Sequence, residues 1–226
     1  MGIGKMNFCV LIPSFNEANT IGGLVIKLKK RGIATYVVDD GSTDDTFSAA
    51  RGAGAIVVRY SANRGKGAAV REGFRYILKE GFEAALVMDG DDQHEVSSID
   101  DFFRRMDETG ADIIIGNRMI DASSMPYVRK ITNRFMSWLI YRVSGQKVPD
   151  SQCGFRLIKR GVLENVKLES DNFQIESELI IKAARKGFKI ESVPIRAIYG
   201  NEKSKINPIV DTFRFVIFII KIVIKK

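Results

Sequence analysis

The chain has 226 residues, of which 45% are hydrophobic, 9% aromatic and 27% charged. That composition excludes a disordered or collagen-like chain, and a chain of this length buries roughly 70% of its unfolded surface without a disulfide or metal staple. The net charge of +8 suits a nucleic-acid or membrane partner, yet it is unevenly spread: residues 1–110 hold 14 Lys/Arg against 16 Asp/Glu, and residues 111–226 hold 21 against 11.

Apolar, β-rich runs alternate with helical patterns along the chain. Phe8–Ile12 reads as a buried strand and Glu17–Arg31 as a helix, followed by a strand at Thr35–Val38 and a helix at Thr43–Gly52. Ala55–Val58 is the third strand, Gly67–Lys79 a helix, Ala85–Met88 the fourth strand, Ser97–Glu108 a helix and Asp112–Ile115 the fifth strand. Apolar strands separated by helices predict a mostly parallel sheet covered on both faces, and right-handed crossovers make it a doubly wound α/β fold. The rhythm then changes to a helix near Arg129–Val143, a strand at Phe155–Ile158, a helix near Gln174–Arg185 and a strand at Lys189–Pro194. No linker separates the parts, so residues 1–206 are expected to form one domain in two halves, 1–118 and 119–206.

Cys9 and Cys153 have no metal-like spacing, and Cys9 sits in an apolar run, so reduced thiols and a cytosolic setting are expected. The N-terminal apolar run ends at Pro13, too short for a signal peptide, and no apolar run reaches 18 residues.

Ligands of an open α/β sheet bind beyond the carboxyl ends of its strands, and the polar clusters fall there. The five ends carry Pro13-Ser14-Phe15-Asn16-Glu17, Asp39-Asp40-Gly41-Ser42, Asn63-Arg64-Gly65-Lys66-Gly67, Asp89-Gly90-Asp91-Asp92-Gln93-His94 and Gly116-Asn117-Arg118. Asp89 and Asp91, two residues apart with Gly90 at the turn, can grip one hard cation, and Gln93 can add a carbonyl oxygen; Mg²⁺ or Mn²⁺ suits such ligands and shares them with substrate phosphates. Asp39 and Asp40 can accept hydrogen bonds from a nucleobase or ribose. Asp44 and Asp45 suit the first turn of the helix that Ser42 or Thr43 would cap. Gly65-Lys66-Gly67 opens a helix without matching a Walker or dinucleotide loop; its glycines permit close backbone approach, and Arg64 and Lys66 supply charge. His94 is the only histidine, and its spacing assigns it no role.

These runs together, with Asp150-Ser151-Gln152-Cys153-Gly154-Phe155-Arg156 and Ser204-Lys205, resemble the family 2 glycosyltransferases, which adopt the GT-A nucleotide-sugar fold. The likeness spans almost the whole chain. Within the family, the D-x-D-x-Q-H and D-S-x-C-G-F-R runs look most like the polyprenyl- or dolichyl-phosphate sugar synthases. The resemblance implies that Pro13, Asn16, Glu17, Asp39 and Asp40 hold the nucleotide, with Lys66, Asp89, Gly90 and Asp91 also facing the nucleotide-sugar. It implies that Asp89, Asp91 and Gln93 hold Mg²⁺ or Mn²⁺, and that Arg118, Arg129 and Lys205 hold phosphates beside Asn133 and Ser204 at the acceptor. Asp89, Asp91 and Arg118 would carry the catalysis. Two departures stand out: Glu202-Lys203-Ser204-Lys205 replaces a G-x-S-K run, and Glu95-Val96 replaces a Pro-Pro pair.

The donor, GDP-mannose or a UDP-hexose, loses a diphosphate whose growing charge a metal and fixed cations would stabilise. A lipid-phosphate acceptor is already an anion and needs orientation, not a strong base, whereas a sugar hydroxyl would need one, with Asp150 and Glu176 the candidates. Phe213–Ile224 is apolar, interrupted by Arg214 and Lys221, so residues 207–226 are expected to form an amphipathic helix on an anionic membrane surface at the cytoplasmic face. Two other functions fit less well: a family 2 enzyme acting on a glycan hydroxyl, and a non-catalytic or Mg²⁺-dependent phosphate-binding α/β protein. The aromatic–basic interleaving of a nucleic-acid groove is absent, so no nucleic-acid partner is expected.

Overall fold

The computed structural model describes residues 6–121, 125–196 and 208–224, with side chains from residue 214 onward in the last stretch. Seven strands form one sheet: β1 (Phe8–Ser14), β2 (Ala34–Asp39), β3 (Ile56–Arg59), β4 (Ala84–Val87), β5 (Ile113–Asn117), β6 (Arg156–Lys159) and β7 (Ile190–Pro194). Their order is β3-β2-β1-β4-β6-β5-β7. All neighbouring pairs run parallel except those made by β6, which is antiparallel to β4 and β5.

Helices α1 (Ile21–Lys30), α2 (Thr46–Ala53), α3 (Lys66–Glu80) and α4 (Ile99–Thr109) alternate with the first five strands. They are followed by α5 (Tyr127–Ser144), α6 (Arg160–Asn165), α7 (Ile175–Arg185) and α8 (Pro208–Ile224). The expected doubly wound, mostly parallel α/β sheet is the fold observed. β1 and β4 are buried along their whole length, which is why they read as unbroken apolar runs. α3 lies so close to β1 that a Cβ at Gly73 would collide with the Leu11 side chain. Phe102 packs against Phe155 (ring centroids 4.3 Å apart) and Phe8 against Phe103 (4.5 Å), joining α4 to β1 and to the entry of β6.

Several boundaries differ from the sequence expectations. The helix expected from Glu17 begins at Ile21, because the Glu17 carbonyl first accepts from the Thr20 and Ile21 amides in a turn. The helix expected from Thr43 begins at Thr46, so Asp44 and Asp45 precede its first turn instead of lying in it; Asp44 Oδ1 accepts from the Thr46 amide (3.0 Å), and no side chain caps the helix at Asp45. The six-residue α6 and a 3₁₀ turn at Val96–Ser98 were not anticipated.

Two features of the topology place the site. The strand order reverses between β1 and β4, which opens a crevice at their carboxyl ends. Because β6 is antiparallel, the segment entering it, residues 150–155, arrives at that same edge.

Candidate active site

The end of β1 is fastened to the end of β2. Asn16 takes a left-handed backbone (φ 55°), its amide donates to Ser42 Oγ (2.9 Å), and its Oδ1 accepts from the Thr43 amide (2.9 Å). The Glu17 amide donates to Thr46 Oγ1 (2.8 Å), so the start of α2 braces the loop leaving β1. Asn16 and Glu17 therefore stand where expected, with their backbones committed to holding two strand ends together. Pro13, paired across from Val38, lies in the buried part of β1.

Asp39 and Asp40 differ from the expectation that both are free for a nucleoside. Asp40 Oδ1 accepts from the Arg64 amide (2.8 Å) and Oδ2 from the Gly65 amide (2.8 Å), so its carboxylate builds the glycine loop. Burial raises the Asp40 carboxyl, while those two amides oppose the rise. Asp39 is fully buried, with Oδ1 accepting from the Ser42 amide (2.9 Å) and Oδ2 3.2 Å from Arg59 Nε. Glycine is obligatory at position 41, where φ is 72° and a Cβ would meet the backbone of Ala62 and Asn63.

The glycine loop is close-packed against protein. The Gly67 amide donates to the Asp171 carbonyl (2.7 Å), and a Cβ at Gly65 or Gly67 would collide with the backbone of Ser170 and Asp171. That opposing segment is held by Glu178, whose oxygens accept from the Glu169 amide (3.0 Å) and the Ser170 amide (2.8 Å). Lys66, between the two glycines, reaches the site instead: its Nζ lies 2.6 Å from Asp89 Oδ1 and 2.7 Å from Glu176 Oε1.

Asp89 and Asp91 lie beyond β4 as expected, on a turn where Asp92 has φ 56° and bonds Lys27 (2.5 Å). Burial opposes the Asp89 charge, but the Lys66 ammonium, with Arg118 and His94 beside it, holds the carboxyl down at about 2. Burial and then the neighbouring Asp89 charge push Asp91 up to about 6, although its Oδ1 accepts from the Gln93 amide (3.1 Å). Among the described residues no group of three or more His, Cys, Asp and Glu side chains forms a metal cluster. Two carboxylates on one turn, one of them raised by its twin's charge, still match a Mg²⁺ or Mn²⁺ site completed by substrate phosphates. A Cβ at Gly90 would crowd Ser14 Oγ, and one at Gly154 would collide with the Asp89 carboxylate. Both glycines thus lie where β1, the β4 turn and the β6 entry approach closely. His94 is buried and stacked on Phe155 (5.1 Å), and burial pushes it down to about 4, so it is neutral at physiological pH.

Arg118, Asp150 and Asn133 meet as one buried cluster. Arg118 Nε and Nη2 donate to Asp150 Oδ2 (2.7 Å) and Oδ1 (2.9 Å), and Asn133 Nδ2 also donates to Oδ1 (2.7 Å). These contacts and the Arg118 backbone amide keep the Asp150 carboxyl low against its burial. Asp150 is therefore an anion with both oxygens occupied, which departs from its expected availability as a base. The fork of Arg118 faces that carboxylate, which departs from its expected reach toward a phosphate. Arg129 lies on the first turns of α5, half-buried. Ser204 and Lys205 lie outside the described residues.

Three features of the site escaped the sequence reading. Arg156 spends its guanidinium on the carbonyls of Cys153 (2.7 Å), Glu176 (2.6 Å) and Ser151 (2.8 Å), tying the β6 entry to α7. Its place in the C-G-F-R run was the available signal. Ser137 and Ser151 exchange contacts (Oγ–Oγ 3.1 Å) beneath Asn133. Ser14 Oγ is buried without a partner at the mouth of the crevice, next to Gly90.

Known proteins share both sequence and fold. Residues 9–167 match the model of the family described as glycosyl transferase family 2. An uncharacterised protein of Methanocaldococcus jannaschii is 36% identical over 203 residues, covering 87% of this chain and 84% of that protein. A UDP-N-acetylglucosamine–dolichyl-phosphate N-acetylglucosaminyltransferase of Methanococcus voltae is 25% identical, covering 84% of this chain and 85% of its own. The crystal structure of Mycobacterium tuberculosis glucosyl-3-phosphoglycerate synthase with Mn²⁺, UDP and glucosyl-3-phosphoglycerate superposes with a TM-score of 0.70 at 17% identity, over 96% of this chain and 79% of that one.

Proposed function

This chain belongs to glycosyl transferase family 2, and from that premise we propose that it transfers a sugar from a nucleotide-sugar to a polyprenyl or dolichyl phosphate. The observation that carries the reading is the state of the two candidate bases. Asp150 is clamped by Arg118 and Asn133, and Glu176 is paired with Lys66. A sugar hydroxyl needs a carboxylate free to take its proton. A phosphate monoester is already an anion near neutral pH and needs only orientation and charge neutralisation. The dolichyl-phosphate acceptor in the name of the Methanococcus voltae relative supports the same acceptor class.

The nucleotide-sugar would lie in the crevice between β1 and β4, beside Asn16, Glu17 and the buried Asp39. Asp89, Asp91 and Gln93 would hold a Mg²⁺ or Mn²⁺ ion, in line with the Mn²⁺–UDP complex of the structural neighbour. Bound there, the ion would offset the charge that grows on the departing diphosphate. Lys66, next to Asp89, brings a fixed cation to the same place. Arg118 acts through Asp150 and Asn133, fixing the end of β5 against α5 where the acceptor phosphate would enter. Arg129, Ser204 and Lys205 would meet that phosphate. In-line attack would invert the anomeric centre, giving a β-linked product from an α-linked donor. A lipid acceptor puts the enzyme at a membrane, on its cytoplasmic face. The division into residues 1–206 and a membrane-facing 207–226 fits that role.

A glycan-hydroxyl acceptor is the second reading. The observation that favours it is Glu176 Oε2, buried without a partner and so able to accept one more hydrogen bond. Product analysis with GDP- and UDP-sugars, Mg²⁺ or Mn²⁺ and a short polyprenyl phosphate tests the first reading. Lipid-linked sugar is expected, and Asp91→Ala should abolish it; near-wild-type turnover in that variant would remove the metal assignment.

A further inference from the structure

The segment packed against the glycine loop brings an aromatic ring up to the acidic turn. Lys66 Nζ, which lies 2.6 Å from Asp89 Oδ1, is 5.8 Å from the centroid of the Phe173 ring. Phe173 stands three residues before Glu176, the other partner of that ammonium. The ring is 49% exposed. One exposed phenylalanine on a surface needs no explanation by itself. This one differs because the backbone that bears it is fixed on both sides. The Gly67 and Ala68 amides donate to the Asp171 carbonyl (2.7 and 3.2 Å), and Arg71 donates to the Ser170 carbonyl and the Asp171 carboxylate. The Ile175 amide then closes a turn on the Asn172 carbonyl (3.1 Å). Phe173 is therefore mounted beside Lys66 rather than left there by a loose loop.

The surroundings of the ring decide what it suits. Its chain neighbours are Asp171, Asn172 and Gln174, and Lys66 lies against it. Asn172 reaches back over the glycine loop, since a Cβ at Gly65 would lie 2.7 Å from its Oδ1. An isoprenoid chain needs a continuous apolar path, which one ring among charges and amides does not offer. A pyranose has both characters. Its C–H groups pack on the electron-rich face of an aromatic ring, and its hydroxyls bond amides and charged groups. The sugar of a nucleotide-sugar is attached directly to the diphosphate, so a ring next to Lys66 lies within reach of it.

We propose that Phe173 is a stacking platform for the sugar of the nucleotide-sugar, with Asn172 and Gln174 flanking it as partners for sugar hydroxyls. The fixed backbone keeps the ordering cost of that contact low. The proposal rests on the nucleotide-sugar reading of the site and is independent of the acceptor.

Calorimetric titration of the full-length protein in Mn²⁺ tests it without turnover. UDP-glucose, UDP-N-acetylglucosamine and GDP-mannose are each compared with the parent UDP or GDP. Phe173→Ala is expected to weaken the sugar-nucleotide that binds by about fivefold or more, and to leave its parent diphosphate within about twofold. Phe173→Tyr should keep wild-type affinity for both. The melting temperature should not move, because the ring is exposed and lies outside the core. Equal weakening of sugar-nucleotide and diphosphate would overturn the proposal, since the ring would then serve the base, the diphosphate or Lys66. Unchanged affinity for both would overturn it as well. A wild type that binds none of the three sugar-nucleotides would remove the proposal together with the nucleotide-sugar reading. Failed transfer to a polyprenyl phosphate, with the sugar-selective loss intact, would remove only the lipid acceptor.

Discussion

Lys66 sets its ammonium 2.6 Å from Asp89, where a divalent cation would share the same carboxylate. It also bonds Glu176, so one side chain links α3, the turn after β4 and the start of α7. Without that charge, Asp89, Asp91 and Glu176 would be left with little to balance them. Lys66→Met is therefore expected to lower stability by about 3 kcal/mol, as when one partner of a buried pair is removed. Urea unfolding measures the loss, and added Mg²⁺ or Mn²⁺ should restore part of it. An unchanged midpoint would show that Lys66 contributes nothing to holding the acidic turn.

The pair of Arg118 and Asp150 gives a pH dependence with a definite sign. The Asp150 carboxyl sits below its usual range in the folded protein. Its contribution is present above the ordinary aspartate value of about 4 and is lost as pH falls through the folded value. Asp150→Asn should destabilise by about 3 kcal/mol at pH 7, because it leaves Arg118 buried without its counter-ion. The difference from wild type should shrink as pH drops below about 4. A gap that is constant with pH would contradict an ionised Asp150.

Two glycine substitutions should move stability in opposite directions. Gly67→Ala drives a methyl group into the backbone of Ser170 and Asp171, and an overpacking cost of about 1–3 kcal/mol is expected. Gly23 lies inside α1 with open space around the added Cβ, so Gly23→Ala should stabilise by up to about 1 kcal/mol. Thermal melts of the two variants decide the matter.

Both cysteines should be silent toward thiol reagents in the folded protein. Burial pushes the Cys9 and Cys153 thiols up to about 12, so the reactive thiolate is scarce at pH 8. Ellman's reagent should label neither until denaturant is added, and then both. Fast labelling of one thiol in the native protein would contradict its burial.

Much of this fold was legible because local signals and burial agree. β1 and β4 are buried on every side, so their apolar runs were unambiguous, and the polar strand ends fell on one edge because parallel strands must point the same way. The antiparallel direction of β6 was not legible, since Arg156–Lys159 carries no signal of its neighbours and its direction depends on the path of residues 118–155. Asp89 and Asp91 were singled out by their spacing together with their place after an apolar strand, beside the other polar strand ends. The true partners of Asp40, Asp150 and Gly67 were not, because they lie 17 to 104 positions away along the chain and only packing brings them together.

The central claim is that the acceptor brings its own negative charge, so that no carboxylate need act as base. The most direct measurement compares sugar transfer to a short polyprenyl phosphate with transfer to the matching polyprenol under the same donor and metal. The account predicts lipid-linked product from the phosphate, with the β configuration by NMR, and none from the alcohol. Equal transfer to the free alcohol, or lipid product that retains the donor's configuration, would contradict it.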